Sequence, residues 1–148
     1  LKALIQRVSS ASVSVAGAEV GAIERGVLVL LAVERNDTAA HGRKLADKVM
    51  NYRIFPDEQG RMNLSVRDIN GGLLVVSQFT LAADTRKGLR PSFTPAADPG
   101  DAERLYEDFA AHCREQMASV ATGIFAADMQ VSLCNEGPVT FMLGVDCP

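Results

Sequence analysis

The sequence has no tryptophan, two histidines and three cysteines among its 148 residues. Each scarcity excludes something. Cys113, Cys134 and Cys147 have no paired spacing, which argues against a disulfide framework or a zinc site and fits a reducing cytoplasm. A metal centre needs His, Cys and carboxylate clusters at ligand spacing, and none is visible. Neither His41 nor His112 neighbours a Ser or Cys in a nucleophile motif, so both read as surface or helix-edge side chains. With no P-loop and no GxGxxG, no cofactor is expected. A membrane span takes roughly 20 apolar residues, far longer than the run Val27–Val33. The start lacks a signal peptide's charged, apolar and small-residue sequence, and Leu1 stands where an initiating Met is expected. The net charge of −3 gives no global basic field for long duplex nucleic acid, though a contact to a single-stranded end stays open.

What is present reads as one domain over residues 1–148, without repeats or linkers. Hydrophobic residues make up 47% and charged residues 22%, a globular composition. Ala3, Ile5 and Arg7 share one side of an alternating strand, Lys2–Val8. Val13 and Val15 lead into a hairpin turn at Ala16-Gly17-Ala18, with Glu19–Ile23 returning. Val27–Val33, continuously apolar, predicts a strand covered on both faces. Asn36-Asp37-Thr38 offers caps for a helix over Ala39–Met50, and Asp98-Pro99 opens a second whose stripe is Ala102, Leu105, Tyr106, Phe109, Ala110, Cys113 and Met117. Ile54-Phe55 and Leu73–Ser77 read as strands, with turns at 56–60 and 70–72. Residues 82–97 form a long surface loop, a length uncommon unless it serves a function. After Thr122-Gly123, two alternating strands (Met129, Val131, Leu133; then Val139, Phe141, Leu143, Val145) are joined by a turn at Glu136-Gly137-Pro138. Cys113 and Cys134 are both expected to be buried. The sum is an α+β fold, mostly antiparallel sheets curled into a partial barrel with two main helices.

Two segments carry candidate chemistry. Ser77-Gln78-Phe79-Thr80 follows a buried strand. In a continuing strand Ser77 and Thr80 would face opposite sides, so serving one site requires the strand to end between them. The Phe79 and Thr80 N–H groups would then be released to bind an oxyanion. The plainer alternative is a polar strand end. In Asn135-Glu136-Gly137-Pro138-Val139-Thr140, a cis Gly-Pro bond is affordable at about 0.5–1 kcal/mol. It would point the Gly137 and Pro138 carbonyls the same way, as acceptors for an ammonium group; the alternative is an ordinary hairpin. Arg7, on a face with apolar residues, either donates to backbone carbonyls and steadies a loop or snorkels from an edge strand.

Both segments, in order and at matching spacing, resemble the two signature motifs of the D-aminoacyl-tRNA (D-Tyr-tRNA) deacylase family. Residues 2–12, Arg61-Met62-Asn63-Leu64-Ser65, Lys87-Gly88-Leu89-Arg90-Pro91-Ser92-Phe93 and residues 125–140 resemble bacterial members, so the similarity runs nearly end to end; Leu1 and the Asp146-Cys147-Pro148 tail depart from it. The resemblance implies a cytoplasmic homodimer with active sites at the subunit interface, acting on the 3′ CCA end of aminoacyl-tRNA without a metal. It implies that Ser77, Gln78, Phe79 and Thr80 form the catalytic segment. Gly137, Pro138, Phe125 and Met129 bind substrate in this scheme, and Arg7 supports the Gly-Pro motif. Arg86, Lys87 and Arg90 are candidates for phosphate contacts near the CCA end, or simply a solvated loop. Water attack assisted by a ribose hydroxyl competes with Thr80 as a covalent nucleophile. A sibling deacylase with a trans Gly-Pro bond and a non-catalytic nucleic-acid-binding homodimer are the alternative functions.

Overall fold

A computed structural model describes residues 1–145. Cys147 and the rest of the C-terminal tail lie outside the described residues. In chain order the elements are β1 (Lys2–Val15), β2 (Ala18–Ile23), β3 (Gly26–Ala32), α1 (Ala39–Asn51), β4 (Phe55–Pro56), β5 (Met62–Leu64) and β6 (Gly72–Ser77). A 3-10 turn (Phe79–Ala82), α2 (Pro99–Gln116), β7 (Val120–Thr122) and β8 (Gln130–Gly144) complete them.

The main sheet has the order β2-β1-β3-β6-β7, with β8 on the other side of β1. Pairings of β1 with β2, β3 and β8 are antiparallel, while β3–β6 and β6–β7 are parallel. The α+β class and the curled sheet of the sequence reading therefore hold, with a parallel half added. Curvature comes from β1, whose 14 residues are broken by register shifts that bend it. At the far end β2 comes up against β7: a Cβ built on Gly21 would lie 2.6 Å from the Thr122 carbonyl oxygen, so only glycine permits this near-closure.

The continuous apolar runs now have a cause. Along β3, Val27, Val29 and Leu31 face the helices, whereas Leu28 packs inside the curl; along β6, Leu73 and Val75 face the helices and Leu74 and Val76 the curl. On the helix side, α1 contributes Leu45, Ala46, Val49 and Met50, and α2 contributes Leu105, Tyr106, Phe109 and Cys113. Full burial of a side chain such as Phe109 or Leu45 contributes about 1.5–3 kcal/mol. Thr38 caps α1 reciprocally with His41, the Thr38 hydroxyl accepting from the His41 N–H. Pro99 opens α2, but the Asp98 side chain makes no capping bond.

Two expectations need correction. The segment around Gly137-Pro138 is not a turn between two strands: β8 runs straight through it beside β1. Gln6 pairs with Thr140 and Val8 with Asn135, so the four residues Glu136 to Val139 stand opposite Arg7 alone. The long partner strand keeps both halves in one ladder, and the extra residues bow out of it. Second, Cys134 is exposed, because it sits on β8's outer side; Cys113 is buried, and burial pushes its thiol up to about 12. Val120–Thr122, which the sequence reading leaves unassigned, is also a strand, too short to show a period in the sequence.

Candidate active site

The strand β6 ends at Ser77, and the chain turns directly into the 3-10 turn. The Gln78 N–H still reaches back to the Leu31 carbonyl at 2.7 Å, which holds the start of the turn to β3. Turn bonding begins at Leu81, whose N–H donates to the Gln78 carbonyl at 3.2 Å. The Phe79 and Thr80 N–H groups precede it and have no acceptor within the turn. The Gln78 side-chain amide donates to the Thr80 hydroxyl.

Beside this turn lies a cavity of about 460 Å³. Ser77, Gln78 and Phe79 line one side, and Phe125 and Met129 line another. Val76, Val131 and Pro99 contribute, and the remaining wall is five alanines: Ala96, Ala97, Ala102, Ala126 and Ala127. Phe125 is placed by α2, since its ring lies 6.0 Å from that of Tyr106. The Tyr106 hydroxyl in turn donates to the Val75 carbonyl at 2.8 Å, tying α2 to the strand that delivers Ser77. Burial holds the Tyr106 phenol above its ordinary range, so it stays a neutral donor. The alanine wall was missed from the sequence; residues 96–97, just ahead of α2, and 126–127 offer no signal beyond small size. Thr80 does not line the cavity.

The second motif forms its own constellation. The Gly137–Pro138 bond is cis, and Gly137 has φ +131°. A Cβ there would meet Val139 at 2.7 Å and the Arg7 guanidinium at 3.2 Å, so glycine is required on both counts. Arg7 donates through Nε to the Glu136 carbonyl (3.1 Å) and through Nη1 to the Ile54 carbonyl (2.7 Å). Of the two roles weighed for Arg7, this geometry is donation to main-chain carbonyls. Asn135 closes the other side: its Oδ1 accepts from the Val139 N–H at 3.1 Å and its Nδ2 donates to the Thr140 hydroxyl at 3.0 Å. Gly137 and Pro138 are exposed and are not among the residues lining the cavity, so a single chain does not bring the two motifs together there.

On the loop after the turn, Arg86 forks onto Asp84 with both bonds at 2.9 Å. Hydrogen bonding by Arg86 holds the Asp84 carboxyl down to about 2. Lys87 and Arg90 are exposed, with no acidic partner among the described residues. His112 lies against Asp47 at 2.8 Å, remote from both motifs in the helix layer. No helix among the described residues is long and apolar enough to cross a membrane.

Comparison with known proteins identifies the family. The D-Tyr-tRNA(Tyr) deacylase family matches residues 4–144. The D-aminoacyl-tRNA deacylase of Shewanella amazonensis is 63% identical over 143 residues, covering 97% of this chain and 99% of the relative. That of Erwinia tasmaniensis is 61% identical with the same coverage. Among solved structures, the c-Myc DNA unwinding element binding protein is 39% identical and superposes with a TM-score of 0.95, covering 99% of this chain and 100% of that one. A probable eukaryotic D-amino acid tRNA deacylase shares the fold at 17% identity and a TM-score of 0.84, covering 97% and 98%. With a family match across nearly all of its length and relatives above 60% identity, the chain belongs to the D-Tyr-tRNA(Tyr) deacylase family.

Proposed function

We propose that this chain hydrolyses the ester bond of D-aminoacyl-tRNA, releasing free D-amino acid and tRNA, and rejects L-aminoacyl-tRNA. The observation that carries the reading is the convergence of Ser77, Gln78 and Phe79 with Phe125 and Met129 on one largely apolar cavity. The terminal adenosine enters against Phe125 and Met129. The ester carbonyl is placed at the Phe79 and Thr80 N–H groups, where one well-aimed donor contributes about 3 kcal/mol as the oxyanion forms. Water adds to the carbonyl carbon, assisted by a ribose hydroxyl of the RNA. Collapse of the tetrahedral species breaks the ester C–O bond, and the departing ribose oxygen takes up a proton. Thr80 is a poor nucleophile in this setting. Its oxygen accepts from the Gln78 amide, which withdraws electron density, and no histidine or carboxylate among the described residues hydrogen-bonds to it.

Handedness is read by main-chain atoms. The Gly137 and Pro138 carbonyls hold the substrate's ammonium group while the ester lies at the oxyanion donors. With two substituents of Cα fixed, a D side chain points outward and an L side chain runs into protein. Glycine has no side chain to reject, so mischarged Gly-tRNA is also a substrate. Because these carbonyls stand away from the cavity of their own chain, the reading places them at the site of a second copy. The homodimer has further support in β8, 15 residues long, which among the described residues pairs with β1 alone and exposes Leu133, Phe141 and Met142. An open edge of that length is ready to be covered. Lys87 and Arg90 face phosphates near the CCA end, and Arg86 is held by Asp84 to shape their loop. A tRNA substrate places the protein in the cytoplasm.

A non-catalytic nucleic-acid-binding role is the second reading, favoured by the 39% identity to a protein named for binding a DNA element. Incubating the purified chain with D-Tyr-tRNA and L-Tyr-tRNA side by side separates the two. Release of D-tyrosine alone is expected. Comparable release of L-tyrosine would defeat the proposal, and release of neither would leave the binding reading.

A further inference from the structure

Two exposed aromatic rings at the mouth of the cavity have no part in the chemistry above. Phe79 is 57% exposed and Phe93 39%, and their ring centroids are 5.0 Å apart at a tilt of 54°. Of the other four phenylalanines, Phe55 and Phe109 are completely buried, Phe125 is half-buried and Phe141 is exposed on β8, away from the cavity lining. Phe79 lines the cavity and Phe93 does not, so the pair leads from the cavity outward. Phe93 is held in place: the adjacent Ser92 exchanges two backbone bonds with Asp84 (2.7 and 3.0 Å), and the Phe93 carbonyl accepts from Ala96 at 3.0 Å. The same loop carries Lys87 and Arg90 with no acidic partner among the described residues. Rigid aromatic faces beside unpaired cations are the composition of a single-strand nucleic-acid platform, where bases stack and the backbone lies along positive charge.

Resting on the deacylase reading, we infer that Phe93, packed on Phe79, is a stacking subsite for the nucleotide preceding the terminal adenosine, with Lys87 and Arg90 on its phosphates. The terminal adenosine fills the cavity, so the chain leaving it passes over this rim. Phe93 thus binds the RNA and takes no part in the bond-breaking.

The test compares D-Tyr-tRNA with D-tyrosyl-adenosine, which lacks the preceding nucleotide, using the wild type, Phe93→Leu and Phe93→Tyr. Leucine keeps apolar contact with Phe79 and removes the flat face; tyrosine keeps the face. For Phe93→Leu, KM on the tRNA rises about tenfold, in the range lost when a stacking ring is removed. Its kcat on the tRNA and its hydrolysis of D-tyrosyl-adenosine stay near wild type, and Phe93→Tyr restores KM. A D-Tyr-tRNA carrying an abasic residue before the terminal adenosine costs the wild type a similar factor but costs Phe93→Leu almost nothing. Equal losses on both substrates, no change on either, or conversion of Phe93→Leu to a different oligomeric state would overturn the subsite while leaving the deacylase reading intact. A wild type that releases nothing from D-Tyr-tRNA removes both.

Discussion

Thr80 carries the hydroxyl nearest in sequence to the proposed oxyanion donors, yet its surroundings do not activate it. A general base would have to accept its proton, and among the described residues the side chain bonded to it is the donating amide of Gln78. Its main-chain N–H, by contrast, lies at the open start of the 3-10 turn. Thr80→Ala is therefore expected to retain substantial deacylation, within about tenfold of wild type in kcat, because the N–H survives the substitution. Single-turnover rates on D-Tyr-tRNA check this; loss of all activity with fold and binding intact would restore Thr80 as a nucleophile. Ser77 to Thr80 were legible as a candidate site because polar residues closing a buried strand are a local signal. The Ile54 carbonyl that Arg7 grips was not legible. It is a main-chain atom 47 residues away, and no side-chain identity marks it.

At the level of elements, the helices and the doubly covered strand β3 were readable because periodicity reports which faces are buried. The passage through β8 was misread for a physical reason. Gly-Pro carries the local chemistry of a hairpin, and only the 14-residue partner strand decides that the ladder continues past it. Arg7 on β1 is what fastens the bowed residues to the body of the protein, joining the Glu136 carbonyl to that of Ile54 just before β4. Arg7→Ala leaves two partly buried carbonyls unsatisfied. The expected cost is about 1–3 kcal/mol of stability, read as a lower urea midpoint at unchanged slope. Activity should fall further than stability, and Arg7→Lys, a single point charge without the fork, should recover only part of either. A variant with wild-type kcat would remove Arg7 from the supporting role.

For the whole molecule, the separation of the two motifs within one chain matters most. The cavity and the Gly137-Pro138 bow each stand in their own framework, and the described residues leave the long edge of β8 away from β1 open. If a second copy covers that edge, a charge placed on β8 should disrupt assembly and catalysis together. Met142, 52% exposed on β8, is a suitable position. Met142→Asp is expected to shift the sedimenting species from dimer to monomer and to lower deacylation in proportion, with little change in the fold by circular dichroism. Full activity in a demonstrated monomer would contradict a site shared between copies.

The alanine wall of the cavity has a consequence for altering its selectivity. Five of its positions already carry a single methyl group, so almost nothing can be trimmed from them to make room. Any of the five can be lengthened. Re-engineering from this wall is thus one-directional: it can teach the protein to refuse bulky guests, whereas admitting larger ones would mean moving the backbone itself.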